Sequence, residues 1–112
     1  MSLYQQHQQA YQEIQSVDQP TEEHKANWTH ELIGGAAAFE AMRLYNQRAE
    51  KEGKKDDHAF AKEILAGIAG ASVDGLVESK GLDFVDREKA KHQATKQAEE
   101  LYREQTGYTG GF

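Results

Sequence analysis

The stretch HELIGGAAAFEAM, His30–Met42, decides how this chain folds. It opens on a histidine and then runs through Gly34, Gly35, Ala36, Ala37 and Ala38, the least space-filling side chains available. Ile33, Ala37, Ala41 and Leu44 recur at three- and four-residue steps, so the stretch reads as a helix with one apolar stripe. His30 lies on that stripe, three residues before Ile33. Upstream, Pro20 marks a boundary. Thr21 is placed as an N-cap, with Glu22 and Glu23 in the first turn where the helix dipole favours anions. One long helix is therefore predicted from Thr21 to about Glu50, stopped by Gly53 in the charged turn EKEGKKDD.

A second helix is predicted from about Asp57 to Ser79. His58, Ala61, Leu65, Ile68, Ser72 and Leu76 share its inner face, and Gly81 follows as a terminating glycine. Asp83 is placed as the cap of a third helix, with Ala90, Ala94, Ala98 and Leu101 as inner edge and Gly107 as its end. The first twenty residues are glutamine-rich, yet Tyr4, His7, Tyr11 and Ile14 repeat at helical steps. They read either as a short docked helix or as a polar arm. The expected architecture is all-α: a small antiparallel bundle of three main helices over residues 21–106, with a short N-terminal helix or arm at 1–20 and a loose tail at 107–112.

Composition agrees. The 112 residues suit one domain, with a single proline and no runs of β-branched residues. A net charge of −6 argues against nucleic acid as a partner. The absence of cysteine excludes disulfides and thiolate metal sites. No apolar run approaches the roughly 20 residues a membrane span needs. The N-terminus lacks the features of a signal peptide. A soluble, cytoplasmic protein is the expectation.

Folding the first two helices about Lys54 sets Ala37 near Ala71, Ala41 near Gly67 and Gly34 near Asp74. The second helix carries its own small residues at four-residue steps, Gly67, Ala71 and Gly75. Two small faces are thus expected to meet, either in close backbone contact or around a slot for a hydrophobic planar ligand. Phe39, Met42, Trp28 or Phe84 would rim such a slot.

No Glu-x-x-His or His-x-x-x-His step is present, which leaves di-iron and zinc-helix readings without support. No phosphate loop, nucleophile elbow or dinucleotide fingerprint appears. An acid–base enzyme built on Glu40 and a histidine is the weakest reading. His7, His24 and His92 are expected at the surface. His30 and His58 head apolar stripes, and either could act as axial ligand to a haem, with peroxidase-like chemistry at an open position. The candidate cofactor-binding residues are His30, His58, Gly34, Ala37, Phe39, Met42 and Tyr45, with His30 and His58 as the metal ligands. About 20 residues at 1.5 Å each would separate the two histidines by ~30 Å, so one haem takes only one of them, or a homodimer supplies the second. The alternative is a non-enzymatic helical dimer or interaction module with a Gly/Ala packing seam.

The segments HELIGGAAAFEAMRLY, HAFAKEILAGIAGASVDGLVESKGLDFVDREKAKHQA and QAEELY, spanning roughly Glu23 to Tyr102, resemble the fungal CipC-like family. The resemblance implies a small intracellular fungal protein associated with antibiotic and other stress responses. It supplies no catalytic residue. His30, Glu40, His58, Lys80, Asp86, His92 and Tyr102 fall on matching positions and are carried only as candidates.

Overall fold

Five helices account for most of the residues described by the computed structural model, 2–54 and 57–108. They are α1 (Leu3–Gln15), α2 (Glu22–Asn27), α3 (His30–Glu52), α4 (His58–Lys80) and α5 (Arg87–Thr106). No strand occurs among the described residues, and the expected all-α bundle is what forms.

The helix ends follow from local chemistry. The Asp57 carboxylate accepts from the Phe60 N–H at 2.9 Å and starts α4. Gly53 and Gly81 end α3 and α4 at φ of 66° and 65°, a left-handed conformation that side chains resist. Two starts differ from expectation. The long first helix is broken at Trp28 and Thr29, both in extended conformation, and the Thr29 hydroxyl opens α3 by accepting from the Leu32 N–H at 3.1 Å. Burial of the Trp28 ring, 3% exposed, turns the chain there. The cap of α5 is Asp86, which accepts from the Lys89 N–H, because Leu82 and Val85 are buried in the turn before it.

Helix α3 packs against α1, α4 and α5, and residues 33–39 are buried without interruption. A helical stretch covered on all sides, as 33–39 is, cannot carry a polar face, and three neighbours can approach it closely only where side chains are small. That is the origin of the run of glycine and alanine.

The expected seam between small faces of α3 and α4 does not form. Gly67, Ala71 and Gly75 are exposed, and a methyl group added to Gly67 or Gly75 would meet nothing within 4 Å. The buried face of α4 carries Ala61, Leu65, Ser72 and Leu76, as expected, together with Ala69, Val73 and Val77. Residues two apart on a helix lie about 200° apart, so the stripes Gly67, Ala71, Gly75 and Ala69, Val73, Val77 cannot both face inward. Burial goes to the larger apolar side chains. The small face is left lining an open groove of about 530 Å³ with Gln15, Glu40 and Leu44.

The glutamine-rich start is a docked helix pinned at several points. The Glu104 carboxylate accepts from the Leu3 and Tyr4 N–H groups, each at 3.1 Å, satisfying two free donors at the start of α1. Phe39 stands between Tyr4 and Tyr11, with ring centroids 5.3 and 5.1 Å away. At the far end, the Lys80 ammonium donates to the Val17 carbonyl at 2.6 Å.

Candidate functional site

Docking α1 buries His7, which is 7% exposed and not at the surface as expected. It lies directly over Gly35. A methyl group there would stand 2.9 Å from His7 Nδ1 and 3.8 Å from the Ala10 methyl. The neighbouring Gly34 faces α5, where a methyl group would stand 2.7 Å from Gln97 Oε1, 2.8 Å from Gln93 Cγ and 3.2 Å from the Ala94 nitrogen. Each glycine inside a helix costs about 1 kcal/mol relative to alanine. Here the pair gives two polar side chains room to lie against the backbone of α3, one from each side.

Those two side chains share a further property. His7 Nε2 and Gln97 Oε1 are both buried, and neither has a hydrogen-bond partner among the described residues. Leaving such an atom unsatisfied costs about 1–3 kcal/mol. Both residues line one cleft of about 220 Å³, together with Gln6, Ala10, Thr29, Glu31, Leu32 and Gly35.

Burial holds the His7 imidazole below its ordinary pKa, opposed by the negative charges of Glu100, Glu104 and Glu31. The ring is thus kept neutral near pH 7, with one nitrogen donating and one accepting. His7 and Gln97 bring a neutral imidazole and a carboxamide to the wall of the cleft. No group of three or more histidine, aspartate or glutamate side chains among the described residues is arranged for a metal ion.

The residues expected to form a site are dispersed. His30 Nε2 accepts from the Asp86 N–H at 3.2 Å, at the start of α5. His58 Nδ1 is hydrogen-bonded to the Tyr102 hydroxyl near the other end of α5, and its ring stacks on Tyr108 at 3.8 Å. About sixteen residues of helix, roughly 24 Å, separate the two contacts. Tyr45 joins the His58 cluster edge-on to Tyr102, centroids 5.8 Å apart. Ala37 and Met42 are core residues, Phe39 belongs to the α1 contact, and Gly34 seats Gln97. Trp28 is buried and Phe84 is 47% exposed. His92 is exposed as expected. Lys80 holds the end of α1, and Asp86 caps α5. Residues 109–112 of the expected tail lie outside the described residues; Tyr108, just before them, covers His58.

A family profile described as Virulence factor CipC-like matches residues 6–105. The chain belongs to the CipC-like family. The match begins within α1, so the CipC-like region includes His7 and the glutamine-rich segment that the resemblance had left outside. No curated protein and no solved structure matches the chain.

Within this CipC-like chain, the signal for His7 lay in its place on the Tyr4, His7, Tyr11, Ile14 stripe. That spacing puts it on the docking face if α1 docks. Gln97 had no comparable signal, because a glutamine among REKAKHQATKQAEE is indistinguishable from a solvated residue until Gly34 is brought against it.

Proposed function

We propose that this CipC-like protein binds a small polar molecule in the cleft between α1, α3 and α5, and that it does so as a cytosolic stress-response protein. The observation that carries the binding reading is the pair of buried, unpartnered atoms, His7 Nε2 and Gln97 Oε1, in residues that border one cleft. Buried polar atoms without partners are uncommon, and two in residues beside one cleft point to a bound molecule there, water included. The stress-response and cytosolic parts rest on the family resemblance. The binding reading is tested by an NMR fragment screen on the full chain. Ligands of the cleft should shift the His7, Gly35 and Gln97 signals together, and a screen that moves none of them overturns the reading.

Haem ligation, expected from the sequence, needs a neutral imidazole with a free nitrogen. His7 offers its unpartnered Nε2, while the hydrogen bonds of His30 at Nε2 and of His58 at Nδ1 each engage one ring nitrogen and not the other. A cleft of 220 Å³ lies below the roughly 300–1,000 Å³ that drug-sized ligands occupy, so a porphyrin would require α1 to lift. Haem titration tests this reading: a Soret band lost in His7→Ala supports it, and no band ends it.

A helical dimer is favoured by a separate observation, the open groove along Gly67, Ala71 and Gly75. Small residues at four-residue steps permit close approach of another helix. Sedimentation of the wild-type chain tests it, and a monomer at all concentrations rules it out.

A further inference from the structure

Resting on the dimer reading above, we infer that the groove's occupant is a second copy of this chain, paired antiparallel along α3 about a twofold axis. The self-complementary feature is a stripe on the outer face of α3. Glu40, Leu44, Gln47 and Lys51 follow one another at steps of four, three and four residues, the spacing of one helix face. Glu40 and Leu44 are part-buried, while Gln47 and Lys51 are exposed. Two hollows border the stripe and share Leu44. One is the groove of about 530 Å³ that runs onto α4, and the other, of about 460 Å³, lies over Gln47, Arg48, Lys51 and Glu52.

The stripe is acidic at one end and basic at the other. Neither Glu40 nor Lys51 has an ion-pair partner among the described residues, whereas Arg48 is already held by Glu52 at 2.9 Å. A twofold axis midway between Leu44 and Gln47 runs the two stripes in opposite directions. It sets Glu40 opposite the partner's Lys51 and Leu44 opposite the partner's Gln47, and each pair occurs twice. A parallel pairing would set carboxylate on carboxylate and ammonium on ammonium. Charge therefore selects the antiparallel arrangement.

Helix α4 supplies the wall. Gly67, Ala71 and Gly75 carry nothing larger than a methyl group, so a partner helix lying beside α3 can approach the backbone of α4. Within that wall Ser72 is 8% exposed, and its hydroxyl makes no hydrogen bond among the described residues. Unlike His7 Nε2 and Gln97 Oε1, that oxygen is not sealed from the surface, so it opens onto the groove that its residue lines. Glu40 lines the same groove, and the two residues offer a carboxylate and a hydroxyl to an incoming ammonium.

The test is sedimentation equilibrium of the full chain as wild type, Glu40→Lys, Lys51→Glu and the double variant Glu40→Lys/Lys51→Glu. Each single change puts like charges at both contacts and should weaken the dimer at least about tenfold. The double variant exchanges the charges of both pairs and should recover dimerisation. An equimolar mixture of the two single variants should form a heterodimer, because each supplies the charge the other lacks. Far-UV circular dichroism at dilutions where every variant is monomeric should superpose, since neither side chain belongs to the core.

Single variants that dimerise as tightly as wild type, or a double variant no tighter than the singles, overturn the antiparallel α3 pairing. If Gly67→Leu still disperses that dimer, the dimer reading survives without this register. A wild-type chain that stays monomeric at all concentrations overturns both, and the groove is then left to a different partner.

Discussion

Gly35 and His7 are matched across the α1–α3 contact: the imidazole occupies the space a β-carbon would need, 2.9 Å from its Nδ1. The match explains why a 23-residue helix interior tolerates a glycine at that point. It also makes the position of the ring sensitive to one methyl group.

Gly35→Ala should therefore separate stability from binding. Alanine gains about 1 kcal/mol of helix propensity, while overpacking costs about 1–3 kcal/mol. The expected net loss is small, up to about 2 kcal/mol in denaturant melts. The NMR shifts at His7 produced by cleft ligands should be abolished. Gly34→Ala should act in the same way on Gln97, whose Oε1 would lie 2.7 Å from the new methyl.

The lowered His7 pKa sets a pH dependence. The unfolded chain takes up the proton near the ordinary value of 6.5 and the folded chain only below it. Between the two values the unfolded state holds more protons, so stability rises with pH across that window and is lost as pH falls through it. Stability should fall from pH 7 downward with a contribution of up to about 1.4 kcal/mol per pH unit from this group. His7→Gln should flatten that part of a melting-temperature profile, and an unchanged slope would assign the effect elsewhere.

Tyr102 is fully buried, and its hydroxyl is hydrogen-bonded to His58. Tyr102→Phe removes one hydrogen bond and leaves the part-buried imidazole without it, a loss of about 1–2 kcal/mol. Tyr102→Ala should cost about 3–5 kcal/mol through the cavity it leaves. Equilibrium denaturation measures both, and equal losses would mean that the hydroxyl, not the ring, carries the stability.

Glu104 accepts from two backbone N–H groups at the start of α1. Glu104→Ala should loosen α1 by about 1–2 kcal/mol, a typical capping loss, without unfolding the other helices. Hydrogen exchange should report faster exchange confined to α1 and to Gly35 beneath it. Protection unchanged in α1 would show that the aromatic contacts at Phe39 suffice to hold it.

Gly67→Leu should leave the fold of the single chain intact, because a side chain there meets nothing within 4 Å. If the groove is a dimer seam, the same change should shift a dimer to monomer in analytical ultracentrifugation. An unchanged sedimentation coefficient from an established dimer would place the interface elsewhere.

Much of the helical framework was legible because its signals are local. Asp57, Gly53 and Gly81 act within one turn of themselves, and the buried alanines of α5 repeat at four-residue steps. The break at Trp28–Thr29 was missed because Thr21 and Thr29 are equally good caps, and the fit of the Trp28 ring into the core chose between continuing and turning. The candidate site was harder to read. His30 and His58 head apolar stripes, yet both have hydrogen-bonded partners at opposite ends of α5. His7 stood on a stripe too, but in a glutamine-rich segment whose polarity suggested solvent.

By itself the sequence determined that this chain is helical, where its long helices end, and that residues 34–38 must lie where helices come close. Caps, terminating glycines and periodicity do this through contacts a few residues apart. Only the tertiary structure decided which faces meet. The rotation of α4 about its axis put Ala69 and Val73 inward and Gly67 outward, and docking of α1 brought His7 onto Gly35. Those outcomes depend on competition among apolar faces distant in sequence, so no local pattern contains them. The glycine pair in HELIGGAAAFEAM was visible at once, but its purpose, to seat one polar side chain from α1 and another from α5, exists only in the folded chain.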